Sequence, residues 1–251
     1  MNAAQKLLVS AIGLFAVSSP VIVNPAEAAY LTYFGEDQGQ GEFARLSSTP
    51  NANLARNDFF SNLVNVGDET FESKANGSSS PIAVAFGVDT ATITGSGSIA
   101  TVISGTNGFG RYAISGSKYY EVTGVFTLTF NTAQAAFGFY GVDIGDFNGK
   151  VTLTLTKTDG GTEVFTVPTT GTQGGGALYF GLISTTPSEQ FTSITFGNTN
   201  SGTDVFAFDD FSIGRQEQIR AVPVPSFAAG IVLAGGVFGA NQIRKRKSQA
   251  K

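Results

Sequence analysis

Two aspartates stand side by side near the end of the chain, in the string Phe206-Ala-Phe-Asp-Asp-Phe211. The string alternates like a strand, and adjacent side chains of a strand point to opposite faces. Phe206, Phe208 and Asp210 therefore share one face, and Ala207 and Asp209 the other, so one carboxylate is aimed at the apolar interior or its rim. A buried carboxylate without a partner is costly, and this one must meet a cation, a cluster of backbone N–H groups or a basic side chain. A second oxygen-rich string runs Asp143-Ile-Gly-Asp-Phe-Asn-Gly149. Calcium takes roughly six to eight oxygen ligands, for which Asp143, Asp146 and Asn148 are candidates; the spacing is not that of the EF-hand loop, whose ligands alternate and end on a glutamate. Turn chemistry accounts for the same residues, with Asp146 and Asn148 satisfying the backbone of a hairpin.

The chain has no cysteine, histidine or tryptophan. Disulfides, a Ser-His-Asp triad, a thiol nucleophile and the usual zinc ligand sets are thereby excluded. Any hydrolase chemistry would rest on carboxylates, as in glycosidases. No two glutamates share a strand face at close spacing, and only a distant pair such as Glu121 and Glu163, meeting across a sheet, would serve. The expectation is a non-enzyme. Tyr112, Tyr119, Tyr120, Tyr140 and Tyr179 are candidates for a glycan-binding face, Tyr119 and Tyr120 first among them; alternatively they pack at the sheet rim with their hydroxyls in water.

The elements that must position these groups are strands. Between Ser80 and Gly214 apolar residues alternate with Thr, Ser or Gly, as in Val125-Phe-Thr-Leu-Thr-Phe130 and Val151-Thr-Leu-Thr-Leu-Thr156; such runs are half-buried strands with a polar outer face. Further strands are expected near 82–88, 90–94, 98–103, 111–114, 118–123, 135–144, 162–167, 177–183, 191–196 and 204–213. Asn148-Gly149 fits a type I′ hairpin turn, and Thr158-Asp-Gly-Gly161 closes another. Many short strands separated by turn signals predict an all-β sandwich of jelly-roll type. Thr49-Pro50 starts a helix over 50–65, with Leu54, Phe59, Phe60, Leu63 and Val64 on its apolar side, expected to cover an edge or mouth of the sandwich. Gly171 to Gly176 reads as a loop.

Both ends carry addresses. Lys6, the apolar run Leu7–Val17 and Ala26-Glu27-Ala28 form an export signal over 1–28, cut between Ala28 and Ala29. A linker at 215–222 leads to a tail over 223–251: Pro223-Val224-Pro225, an apolar stretch from Phe227 to Ala240 within a membrane segment at 227–243, and the cluster Arg244, Lys245, Arg246 and Lys247. The apolar stretch is shorter than the ~20 residues of a free-standing membrane helix, but basic residues on its inner flank agree with an exported N-terminal side. What lies between is about 195 residues, one domain or a domain with a loose N-terminal arm. The formal charge of −4 divides into zero on the leader, +5 beyond Val222 and −9 on the segment between. That acidity argues against nucleic acid and anionic lipid as partners and is compatible with divalent cations.

Leader, exported region and Pro-x-Pro/apolar/basic tail together resemble the bacterial PEP-CTERM sorting architecture, with Val224 where that family usually has glutamate. Thr70-Phe-Glu72, the run Phe137 to Asp146, Phe180 to Ile183 and Phe206 to Phe211 resemble a domain common in cyanobacterial proteins of this type. The resemblance implies a membrane-anchored intermediate, processing by an exosortase-type enzyme, and release to the cell surface or an exopolysaccharide matrix, with no catalytic activity. By resemblance to jelly-roll modules that hold a structural calcium between their first and last strands, Glu72 with Asp209 or Asp210 would be its strand ligands. A permanently anchored carbohydrate-binding module or carboxylate glycosidase is the alternative.

Overall fold

The protein is described by a computed structural model that covers residues 29–146, 148–170, 174–199 and 204–220. The leader up to Ala28 and the tail motif Pro223-Val224-Pro225 with Arg244, Lys245, Arg246 and Lys247 lie outside the described residues. In chain order the elements are β1 (Tyr30–Asp37), α1 (Pro50–Ser61), β2 (Gly67–Glu69), β3 (Ile82–Phe86), β4 (Asp89–Gly95), β5 (Ser98–Thr101), β6 (Lys118–Val122) and β7 (Phe126–Gln134). They continue with β8 (Ala136–Val142), β9 (Val151–Lys157), β10 (Thr162–Thr166), β11 (Ala177–Ser184), β12 (Phe191–Asn198) and β13 (Phe206–Gly214). Among the described residues no helix is long and apolar enough to cross a membrane.

The strands form two antiparallel sheets, ordered β1-β11-β8-β13-β6-β5 with β2 beside β13, and β10-β9-β12-β7-β4-β3. From β6 to β13 the chain passes between sheets at each step except the β9–β10 hairpin. This is the path of an eight-stranded jelly roll, with β1, β5, β3 and β4 widening its sheets. The expected Asn148-Gly149 hairpin is therefore not formed. β8 and β9 belong to different sheets, and the left-handed Asn148 (φ 63°) sits in the crossover between them. The turn at Thr158–Gly161 does close β9 onto β10 as expected.

Phenylalanines fill the space between the sheets. Phe126 stacks on Phe196 with ring centroids 4.3 Å apart, and Phe139 meets Phe208 edge to face at 5.5 Å. Each fully buried ring contributes roughly 1.5–3 kcal/mol by leaving water. The threonine-rich face of the β9 sheet is left toward solvent, so its strands alternate buried and open. The other sheet is covered on both sides, and β8, β11 and β13 are buried at every position.

Its outer cover has two parts. Helix α1 lies on the edge strand β1 and its neighbour β11, packing Ala52, Ala55 and Phe59 against Tyr179 and Ile183 on the outer face of the sheet, so that it covers one edge of the sandwich as expected. Its N-terminus is held not by Thr49 but by the Asp37 carboxylate at the end of β1, which accepts from the N–H groups of Asn51 (3.1 Å) and Ala52 (2.9 Å). The second part is the segment 102–117. Its residues 111–114, expected as a strand, are irregular and carry Tyr112 and Ala113 down onto Val142 and Ala207.

Two further expectations are corrected at the ends of the fold. The N-terminal arm is strand β1, paired with β11 along its whole length. Residues 215–220 are not a free linker: Ile219 bridges to Leu63, the Arg220 N–H donates to the Asn62 carbonyl (2.8 Å), and Arg215 pairs with Asp89 (3.2 Å).

Candidate functional site

The acid pair of β13 sits on a bulge. The register against β8 shifts between Asp209 and Ser212, and Asp210 is left-handed (φ 47°). An extra residue in one strand lets Phe208 and Phe211, three apart, both enter the core. Asp210 consequently does not share the face of Phe206 and Phe208; it turns outward with Asp209, beneath the 102–117 cover. There the fully buried Asp209 accepts from the N–H groups of Ile114 (2.7 Å), Ser115 (3.0 Å) and Asp210 (2.8 Å). Of the three partners open to this carboxylate, a backbone N–H cluster is the one it has. Burial, then the neighbouring Asp210 charge, push the Asp209 carboxyl well above its ordinary range. Asp210 accepts from the Ser115 hydroxyl (2.5 Å) and is raised by burial.

Glu72 is occupied elsewhere. It is exposed in the turn after β2 and accepts from the N–H groups of Ser117 (2.8 Å) and Lys118 (2.5 Å). What burial it has opposes ionisation, but those N–H groups outweigh it and its pKa is lowered. Glu72 therefore fastens the segment 114–118 at one point while Asp209 and Asp210 fasten it at another. The strand-to-strand ligand pair implied by the jelly-roll resemblance is not assembled here. Among the described residues no three acidic side chains converge as a metal-binding group.

A second acidic centre lies at the β8–β9 crossover. Asp143, left-handed at the end of β8, accepts from the Gly175 N–H (2.9 Å) and pairs with Arg111 Nη1 (3.3 Å). Arg111 Nε in turn meets Glu121 Oε2 at 2.8 Å, where the Asn107 amide also donates. Burial raises Asp143 to about 6, with the Gly175 N–H and Arg111 pulling down and Asp146 pushing up. Asn148 donates its backbone N–H to the Gly145 carbonyl (3.1 Å), closing a tight turn in the crossover and not the hairpin expected there. The sequence reading missed Asp204, just ahead of β13. It is 2% exposed and neither of its oxygens has a hydrogen-bond donor. Burial, then the charge of Asp146 and its carboxyl–carboxyl contact, push Asp204 up to about 7. Its only sequence signal was an acid amid Asn, Ser, Gly and Thr, indistinguishable from a turn residue.

The tyrosines expected to be exposed are not. Tyr119 and Tyr120 are both fully buried, Tyr119 under the 102–117 cover and Tyr120 in the inter-sheet core against Phe71 and Phe126. Tyr140 and Tyr179 lie beneath α1, and Tyr112 beneath Arg45. A sheet covered on its outer face has no rim on which such rings could stand in water. Tyr119 and Tyr120 therefore do not form a glycan platform. Among the described residues the exposed aromatic side chains are Phe43 (82%) and Phe109 (62%). The two loops that carry them are joined where the Glu42 carbonyl accepts from the Gly110 N–H (2.8 Å) and the Thr106 hydroxyl (2.5 Å). Glu121 and Glu163 do not meet: β6 and β10 lie in different sheets and toward opposite edges.

This architecture belongs to the class of all-β sandwiches built from two antiparallel sheets, with one short helix. No protein-family model matches the chain, and no curated protein matches it. Among solved structures it is similar to the C-terminal family 22 carbohydrate-binding module of Clostridium thermocellum Xyn10B, at 15% identity and TM-score 0.37, over 61% of this chain and 94% of that one. It is similar to the CBM22-1 xylan-binding domain of Paenibacillus barcinonensis Xyn10C, at 14% and 0.36, over 62% and 94%. The K2 cleaved adhesin domain of Lys-gingipain is similar at 15% and 0.35, over 59% and 97%.

Proposed function

We propose that the chain is an exported, non-catalytic protein of the cell surface or extracellular matrix, delivered by its leader and sorted through its Pro-Val-Pro/apolar/basic tail. The observation that carries this is the order of segments: a leader ending at Ala28, a sandwich, then Pro223-Val224-Pro225, an apolar stretch and Arg244 to Lys247. Among the described residues the fold runs from β1, which opens at Tyr30, to the backbone bond that the Arg220 N–H makes to Asn62. The partners are the membrane and an exosortase-type processing enzyme.

Association with extracellular polysaccharide is part of the same proposal, with Phe43 and Phe109 as its contact residues. Two exposed rings on loops joined by hydrogen bonds suit stacking on sugar faces.

Intact mass of the protein recovered from cell surface and medium tests the sorting. A species ending near Pro225 supports it; one retaining Arg244 to Lys251 makes the tail a permanent anchor, the outcome that Val224 in place of an acidic residue would favour. Saturable retention on extracellular polysaccharide, lost in a Phe43→Ala/Phe109→Ala double variant, supports the glycan contact, and absence of retention by the wild type removes it.

A further inference from the structure

Asp204 is a buried carboxylate whose charge is answered by no donor. Carboxylates in such a position are paired, protonated or bound to a metal. The cation that acts on it, Arg111, is already engaged: its Nε meets Glu121, and its Nη1 meets Asp143 and the carbonyls of Phe109 and Val205. It lowers the Asp204 pKa only through space, against the stronger opposing influence of Asp146. Both Asp204 oxygens are sealed from solvent and meet no N–H or hydroxyl donor; the group in contact with them is another carboxyl, that of Asp146.

A Cβ built on Gly149 would lie 2.6 Å from Asn198 Oδ1, 2.8 Å from Asp204 Oδ2 and 3.0 Å from Asn198 Nδ2, so the Asn198 amide and the Asp204 carboxylate, from different connections, converge over one glycine. Gly149 has no left-handed backbone to explain its lack of a side chain; a Cβ there would strike these two groups, so the glycine is what lets them approach the β8–β9 crossover. Asp146 faces Asp204 from the β8–β9 crossover. Asp143 adds negative charge but no ligand, since Gly175 and Arg111 occupy its oxygens.

We propose that Asp146, Asp204 and the Asn198 side-chain oxygen form a binding site for one calcium ion. Two carboxylates and an amide oxygen are the donor types of a hard cation that takes roughly six to eight oxygens; backbone carbonyls and water complete the shell. The ion would join the β8–β9 crossover to the ends of β12 and β13, tying together connections that run between the two sheets. The site is separate from the Glu72/Asp209/Asp210 pairing, whose members are saturated by the segment 114–118.

The full-length chain, solubilised in detergent and stripped with chelator, is titrated calorimetrically with calcium chloride at pH 7.5. One equivalent should bind, with magnesium at least about tenfold weaker because it demands a tighter octahedral shell. Asp204→Asn should weaken calcium at least about tenfold, and Glu72→Gln should leave it unchanged. Because protons compete for Asp204, the apparent affinity should fall on the order of tenfold between pH 7.5 and 6. No binding to the wild type at 1 mM calcium, or binding that Asp204→Asn leaves intact, would overturn the assignment. If Asp204→Asn does not fold, the wild-type titration and Asn198→Ala still decide: binding that Asn198→Ala leaves intact counts against the site.

Discussion

Gly181 lies directly beneath the ring of Phe59: a methyl group added to the glycine would come within 2.7 Å of Phe59 Cδ2. Its partner across the β8–β11 ladder, Gly138, lies against the Tyr179 hydroxyl, with Phe59 Cε1 3.1 Å from where its Cβ would be. Two glycines in register thus cut a hollow in the outer face of the sheet, and α1 fills it with one aromatic side chain. Gly35 on β1 does the same for the helix backbone, since its added Cβ would strike the Asn51 carbonyl. The glycines that make these strands look weak in sequence are what let the helix approach.

Gly181→Ala is therefore expected to destabilise the fold by about 1–3 kcal/mol through overpacking. Phe59→Ala should cost about 3–5 kcal/mol by emptying the hollow. The double variant should lose less than the sum, since removing the ring removes the clash. Urea denaturation midpoints of the three variants measure this, and strict additivity would show that Phe59 does not sit on Gly181.

Asp37 and not Thr49 should prove to be the cap of α1. Pro50 has no N–H, and of the three N–H groups left without a carbonyl at this end the Asp37 carboxylate takes two, placing negative charge at the positive end of the helix dipole. Asp37→Ala is expected to cost about 1–2 kcal/mol, and Thr49→Ala no more than a few tenths. Equal losses in thermal unfolding would contradict the assignment.

How much was legible in the sequence follows from which faces meet water. The β9 sheet has one solvated face, so Val151, Leu153 and Leu155 alternate with threonines and their strands are readable. The other sheet is covered twice, and a doubly buried strand loses its alternation. Tyr119, Tyr140 and Tyr179 therefore looked like exposed rings when they are the contacts of a covering layer. The partner that buries them is distant in sequence: α1 for Tyr140 and Tyr179, the irregular 102–117 for Tyr119. A bulge cannot be seen in Phe-Asp-Asp-Phe, and it reverses which face Asp210 takes. Asp204 was hidden for a simpler reason, since its burial depends on the β8–β9 crossover folding over it. Strand β1 was missed because its pairing with β11 spans most of the chain.

Asp209 should behave as a structural anchor of the 102–117 cover. Asp209→Ala removes the acceptor for three backbone N–H groups at once, and unmet buried donors cost roughly 1–3 kcal/mol each. Part of that cost is recovered as the segment opens to water, so the net loss is expected near 3 kcal/mol, accompanied by faster amide exchange at Ile114 and Ser115. Destabilisation without faster exchange at these two amides would mean that the carboxylate does not hold the segment.

The calcium-free protein should be less stable at pH 8 than at pH 5. Asp143 and Asp204 have folded values of about 6 and 7 against an ordinary 3.8. Between the ordinary value and the raised one the folded chain holds protons that the unfolded chain has lost, so stability falls as pH climbs through that window. Asp209 and Asp210, also raised, act in the same direction. Glu72, lowered by its two backbone donors, opposes them only below the ordinary carboxylate range. Asp204→Asn should flatten the fall between pH 5 and 8, because an amide in that place has no proton to lose. Calcium should flatten it in the wild type as well, by replacing the lost proton with a cation. A melting temperature that rises from pH 5 to 8 in chelator would mean that Asp143 and Asp204 are not raised in the folded protein.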